Sequence, residues 1–127
     1  MKRAVLLILE KDRKILFARR AAARKSLPGR WSLPSGTMEE NETKEEAAIR
    51  EAKEELNLDL RDFELFDTYE MTDKILYFFK APYTEELKIK ATEELTELKE
   101  YSWEDFFNTY KDEEIGHGLQ YLREKVL

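Results

Sequence analysis

Three glutamates, Glu51, Glu54 and Glu55, stand three and four residues apart late in a run with no Gly or Pro. Residues at those spacings are neighbours on a helix surface, so all three carboxylates share one arc of roughly 100°. Like charges so placed destabilise a bare helix by about 0.2–0.5 kcal/mol per pair. The cations nearest in sequence, Arg50 and Lys53, are expected to point off that arc. A crowd of carboxylates is relieved by a cation, and hard oxygen ligands suit Mg²⁺ or Mn²⁺. The cluster contains no His or Cys, which argues against zinc. Just before it, Pro34-Ser35-Gly36 reads as a turn able to aim a backbone carbonyl at the same spot. Two or more such ions would bridge phosphate oxygens and activate a water for in-line attack on phosphorus. The plain alternative is a solvated acidic face, because 8 of the 17 residues from Glu39 to Glu55 are Glu.

The elements that must position these groups follow from pattern. Thr43 is an N-cap with Glu46 three residues on, the signature of a capping box. Ala48, Ala52 and Leu56 recur every four residues and form a stripe narrow enough to lie close on a sheet. Asn57 follows as a left-handed terminator. Residues 3–9 and 15–19 read as strands around the polar turn at residues 11–14, and residues 20–29 as a basic loop. Trp31 to Leu33 alternates like a strand. Residues 63–69 and 74–80 form a strand pair around Met71-Thr72-Asp73. Residues 87–90 and 98–101 are weaker strands, and residues 103–110 and 112–125 are helical, the second weakened by Gly116 and Gly118. Strands on either side of a central helix, with helices closing the chain, suit an α/β fold with a mixed sheet between helices.

Composition limits what that fold is for. The chain has 127 residues, the size of one domain spanning 1–127, and 42% are hydrophobic, enough for a core. Its net charge of −6 leaves no basic excess to hold a nucleic-acid polymer. There are no cysteines, so disulfides, thiolate zinc sites and cysteine nucleophiles are excluded. The apolar run at residues 4–9 stops at Glu10-Lys11-Asp12 and reads as a strand, not a signal peptide. No stretch approaches the roughly 20 apolar residues of a membrane span. A cytoplasmic protein, monomer or homodimer, with no membrane partner is expected.

Gly36, Glu42, Arg50, Glu51, Glu54 and Glu55 stand at offsets that chance matches on the order of 10⁻⁴ to 10⁻³. The stretch resembles the Nudix box: Gly, five residues, Glu, seven residues, Arg-Glu, an aliphatic, any residue, Glu-Glu, any residue, Gly, an aliphatic. Asn57 replaces the last Gly, which suits a left-handed cap. Ala52 stands where a larger aliphatic is commoner, and Pro-Ser-Gly stands where many members have Pro-Gly-Gly. The resemblance implies an α/β/α sandwich and hydrolysis of a nucleoside diphosphate linked to another group. It implies that Glu51, Glu54 and Glu55 bind the metals, one of them doubling as base. It further implies that Arg50 orients a catalytic carboxylate and that Glu42 pins the loop-to-helix junction. The carbonyl of Ser35 or Gly36 would be a ligand. Members often add an acid from a later loop, where Glu93, Glu94 and Glu97 are candidates and Glu94 is favoured.

For substrate, Arg19-Arg20-Ala21-Ala22 resembles a run in MutT-type triphosphatases in which arginine contacts phosphate. Arg20 is the candidate, with Arg19, Arg24, Lys25 and Arg30 adding charge. Trp31, Tyr77 and Phe78 are candidates for stacking on a base, although residues of this type are more often core. The expected reaction is Mg²⁺- or Mn²⁺-dependent cleavage of a small-molecule nucleoside triphosphate to monophosphate and pyrophosphate. ADP-ribose and dinucleoside polyphosphates are the alternatives within the family, and a non-catalytic nucleotide-binding module is the alternative outside catalysis. An isopentenyl diphosphate isomerase is disfavoured by the missing cysteine.

Overall fold

A computed structural model describes residues 1–21, 28–84 and 95–127. Along the chain run β1 (Lys2–Lys11), β2 (Lys14–Arg20), β3 (Trp31–Ser32), β4 (Ser35–Thr37), α1 (Lys44–Leu56), β5 (Glu64–Glu70) and β6 (Lys74–Pro82). β7 (Leu95–Tyr101), α2 (Trp103–Thr109), a 3₁₀ turn at Asp112–Glu114 and α3 (His117–Val126) complete it. The chain divides into two compact units, residues 1–11 with 34–88, and residues 12–33 with 89–127.

The first unit is a mixed sheet carrying α1. β1 runs parallel to β6, with Leu6 opposite Phe78, and β6 runs antiparallel to β5. Val5 to Leu9 are five consecutive buried residues. An unbroken apolar run of that kind marks a strand covered on both faces. β4 pairs antiparallel with β1, with Gly36 opposite Val5. This corrects the turn expected at Pro34-Ser35-Gly36: only Pro34 precedes the ladder, and its carbonyl accepts from Leu7 N–H at 2.8 Å. The expected β5–β6 turn is present, closed by Met71 N–H donating to the Lys74 carbonyl at 2.8 Å.

α1 forms where its caps allow. The Thr43 hydroxyl accepts from Glu46 N–H at 3.1 Å and the Glu46 carboxylate from Thr43 N–H at 3.0 Å. Asn57 ends the helix at φ 52°, and Leu58 N–H reaches back to the Ala52 carbonyl at 3.1 Å. α1 buries Ala47, Ala48, Ala52 and Leu56 against β1 and β4, and with them one charged residue, Glu51.

In the second unit β2 pairs with β3 on one side and β7 on the other, both antiparallel. Its core is aromatic: Phe17 stacks on Phe106 at 3.8 Å between ring centroids, with the Trp103 edge at 5.6 Å. The helix expected over residues 112–125 is broken. Ile115 is extended and buried, bridged to Trp31, and Gly116 N–H bonds the Trp31 carbonyl at 2.8 Å, so α3 starts only at His117. The expected strand at 98–101 begins earlier, at Leu95. The strand expected at 87–90 lies outside the described residues. Among the described residues no helix is long and apolar enough to cross a membrane.

Candidate active site

The acidic face of α1 is organised around one guanidinium in the first unit. Arg50 Nε and Nη2 donate to the two oxygens of Glu42 at 2.7 and 2.9 Å. Nη2 also donates to the Thr37 carbonyl at 3.1 Å. Nη1 donates to Glu51 at 2.7 Å and to Glu54 at 3.1 Å. The sequence expectation that Arg50 points off the acidic arc is therefore wrong. A residue adjacent to Glu51 has a side chain long enough to fold back over the arc, and the field of the carboxylates draws it there.

Glu42 also accepts from Glu39 N–H at 2.9 Å, which closes the loop leading into α1. The Arg50 guanidinium, and after it the Glu39 N–H, hold the Glu42 carboxyl down at about 2 from its usual 4.5. The same pairing with Glu42, followed by that with Glu51, pushes Arg50 up against the opposing effect of burial. The unfolded chain takes up the Glu42 proton near 4.5, whereas the folded protein takes it up only near 2. The contribution to stability is complete above pH 4.5, drains between 4.5 and 2, and is gone below. Glu42→Gln should therefore be less stable than wild type at neutral pH, with the gap closing across that window in urea titrations. A gap that stays constant down to pH 3 would show that this carboxylate is not what Arg50 holds.

Glu51 is 7% exposed and lies against Gly36, where an added Cβ would run into its carboxylate. Gly36 is required here for close approach, since a side chain and the Glu51 carboxylate cannot share that space. The bonds from Leu7 N–H to the Pro34 carbonyl and from Met38 N–H to the Arg3 carbonyl set the parity of the β1–β4 ladder. That parity makes Gly36 and Val5 a hydrogen-bonded pair and turns the carbonyls of Ser35 and Thr37 away from β1. Thr37 spends its carbonyl on Arg50, and the Ser35 carbonyl faces the same side. Of the two carbonyls named from sequence, Ser35 is thus the better placed as a ligand. Both carboxylate oxygens of Glu55 are buried, while the Glu54 side chain is 59% exposed.

The donor set is all oxygen and strongly anionic. Glu39, Glu42, Glu51 and Glu54 all lie within 3.7 Å of Arg50, so four negative charges against one positive leave three in excess. As arranged, no three acidic or imidazole side chains converge into a metal-binding group among the described residues. Glu51 and Glu54 are both turned to Arg50 instead. The chemistry of the set nevertheless fits a hard divalent cation, which prefers carboxylate and carbonyl oxygen. Sequence reasoning missed the part played by Glu39 and by the Thr37 carbonyl. A carbonyl leaves no trace in residue type, and Glu39 is one acid among many.

The other candidates belong to the second unit. Arg19 is exposed and donates to the Gly29 carbonyl at 3.2 Å and to Glu97 at 3.0 Å. It thereby ties Gly29 to β7. Arg20 is half-buried at a bulge and donates its backbone N–H to the Arg30 carbonyl at 2.8 Å. Arg30 Nη1 lies 3.4 Å from the Ile115 carbonyl. Trp31 is 5% exposed, with Tyr110 5.3 Å away and the Lys99 ammonium 5.4 Å over its ring. That burial agrees with the core reading of Trp31. In the first unit Phe78 is fully buried, and Tyr77 lies under the Lys44 ammonium at 5.7 Å. Glu93, Glu94, Arg24 and Lys25 lie outside the described residues.

A family model described as the NUDIX domain matches residues 1–122. The chain belongs to the Nudix family. Its fold is that of solved MutT-type Nudix structures. A MutT NUDIX hydrolase from Burkholderia pseudomallei matches with a TM-score of 0.82 at 20% identity, over 99% of this chain and 98% of that one. A MutT protein from Methanosarcina mazei Go1 matches with a TM-score of 0.80 at 20% identity, over 98% and 91%. A curated relative, an 8-oxo-dGTP diphosphatase from Proteus vulgaris, is 36% identical over 61 residues. That alignment spans 48% of this Nudix chain and 54% of the relative, about half of each.

Proposed function

We propose that this Nudix protein is a Mg²⁺- or Mn²⁺-dependent pyrophosphohydrolase that cleaves a nucleoside triphosphate to monophosphate and pyrophosphate. The observation that carries the reading is a cluster of four carboxylates around the single Arg50 guanidinium, Glu51 and Glu54 from α1 and Glu39 and Glu42 from the segment before it, with buried Glu51 seated on Gly36. A folded protein keeps such repulsion where a cation relieves it. Glu51, Glu54 and Glu55, with the Ser35 carbonyl, are the groups that would hold the ion. A divalent cation bound there supplies Lewis-acid polarisation of the phosphate and a more acidic water. Arg50 keeps the Glu51 carboxylate aimed, Glu42 keeps Arg50 in place, and Gly36 keeps room for Glu51. The whole chain acts as one domain, and the oxidised purine named for the Proteus vulgaris relative is the first base to test here.

The test is a phosphate-release screen of nucleotides with Mg²⁺ and with chelator. Metal-dependent release from triphosphates supports the reading. Preference for ADP-ribose or dinucleoside polyphosphates would move the substrate within the family. Folded protein inactive on every compound would favour a nucleotide-binding module. Arg20→Ala should raise KM for a triphosphate about tenfold with kcat little changed, as loss of a phosphate contact would. Unchanged kinetics would remove Arg20 from the substrate contacts.

A further inference from the structure

All five N–H groups of the Arg50 guanidinium have acceptors, and they divide into a strong anchor and a weak arm. The anchor is the two-pronged contact with Glu42, whose side chain is only 11% exposed. The arm is Nη1, which holds two carboxylates at once. Its bond to buried Glu51 is 2.7 Å, whereas its bond to Glu54 is 3.1 Å and ends on a side chain that is 59% exposed. Glu54 is the partner that leaves at least cost, because water replaces its lost contact.

We propose that Arg50 is a displaceable counter-ion: without metal it holds Glu54 in the role a divalent cation would take, and cation entry exchanges that one hydrogen bond while the Glu42 anchor stays. This inference rests on the metal-dependent reading above. It explains how four carboxylates crowd one guanidinium without converging on a ligand group of their own. It also differs in sign from a purely orienting role. If Arg50 only aims ligands, removing it weakens cation binding. If it competes for them, removing it strengthens binding, because the carboxylates lose their resident positive charge.

The experiment titrates Mn²⁺ alone, by calorimetry, into metal-free full-length wild type, Arg50→Met and Arg50→Lys. Thermal unfolding of each is recorded with and without Mn²⁺. Arg50→Met should bind Mn²⁺ about fivefold or more tighter than wild type. Its lower Tm in the metal-free state should recover toward wild type when Mn²⁺ is saturating. Arg50→Lys keeps the charge but lacks the fork, and should fall between. Equal or weaker Mn²⁺ binding by Arg50→Met overturns the exchange. If Arg50→Met does not fold without metal, Arg50→Lys carries the comparison, and affinity at or below wild type overturns it in the same way. No Mn²⁺ uptake by folded wild type or by Arg50→Lys would overturn the metal-dependent reading itself.

Discussion

Glu54→Gln should lower kcat about 10²-fold or more and leave the fold intact. The two halves of that expectation have separate causes. Glu54 is exposed, and among the described residues its one hydrogen bond is the 3.1 Å contact with Arg50, so its stability contribution is small. An exposed pair of this kind contributes about 0–1 kcal/mol. The substitution keeps shape and volume and removes only the charge. If the carboxylate holds a cation at the reacting phosphate, that charge is what catalysis uses. A factor of 10² corresponds to about 2.7 kcal/mol of barrier. The measurement is kcat with the best nucleotide from the screen, beside Tm of the same preparation. Full activity in a well-folded variant would refute the assignment of Glu54.

Gly36→Ala should damage both stability and rate. The new Cβ would meet the Glu51 carboxylate, which Arg50 Nη1 holds at 2.7 Å from within the protein. Either Glu51 swings off Arg50, or β4 shifts away from Val5. Overpacking of a well-packed site typically costs about 1–3 kcal/mol. A displacement of about 1 Å in a catalytic group can cost about 10²-fold in rate. Gly36→Ala should thus lose Tm where Glu54→Gln does not, while both lose kcat. A Gly36→Ala protein with wild-type Tm and kcat would show that the seat of Glu51 on Gly36 is dispensable.

Much of the fold could be read from local pattern because its elements are stabilised locally. α1 starts at the capping box of Thr43 and Glu46 and stops at Asn57, since those side chains and that backbone angle act within a turn of their own position. Val5 to Leu9 form a strand because an unbroken apolar run has nowhere to go but a covered sheet. Where the reading failed, a distant partner decided. Ser35 to Thr37 is a strand because β1 offers its edge. Ile115 interrupts a helical stretch because Trp31 bridges it and takes the Gly116 N–H. Residue type leaves Trp31 open between core and stacking platform, and the positions of Tyr110 and Lys99 show that its ring is covered.

The candidate site divides in the same way. By itself the amino-acid sequence determined which carboxylates share a face, because 3.6 residues per turn is a property of any helix. It also determined how that helix is capped and which chemistry an all-oxygen donor set favours. Only the tertiary structure decided where the charges point. Arg50 turns back over the face, Glu51 is buried and Glu54 exposed, and Gly36 makes room through its pairing with β1. Those outcomes depend on side-chain rotamers and on a strand thirty residues away in sequence from β4. Helical periodicity contains neither.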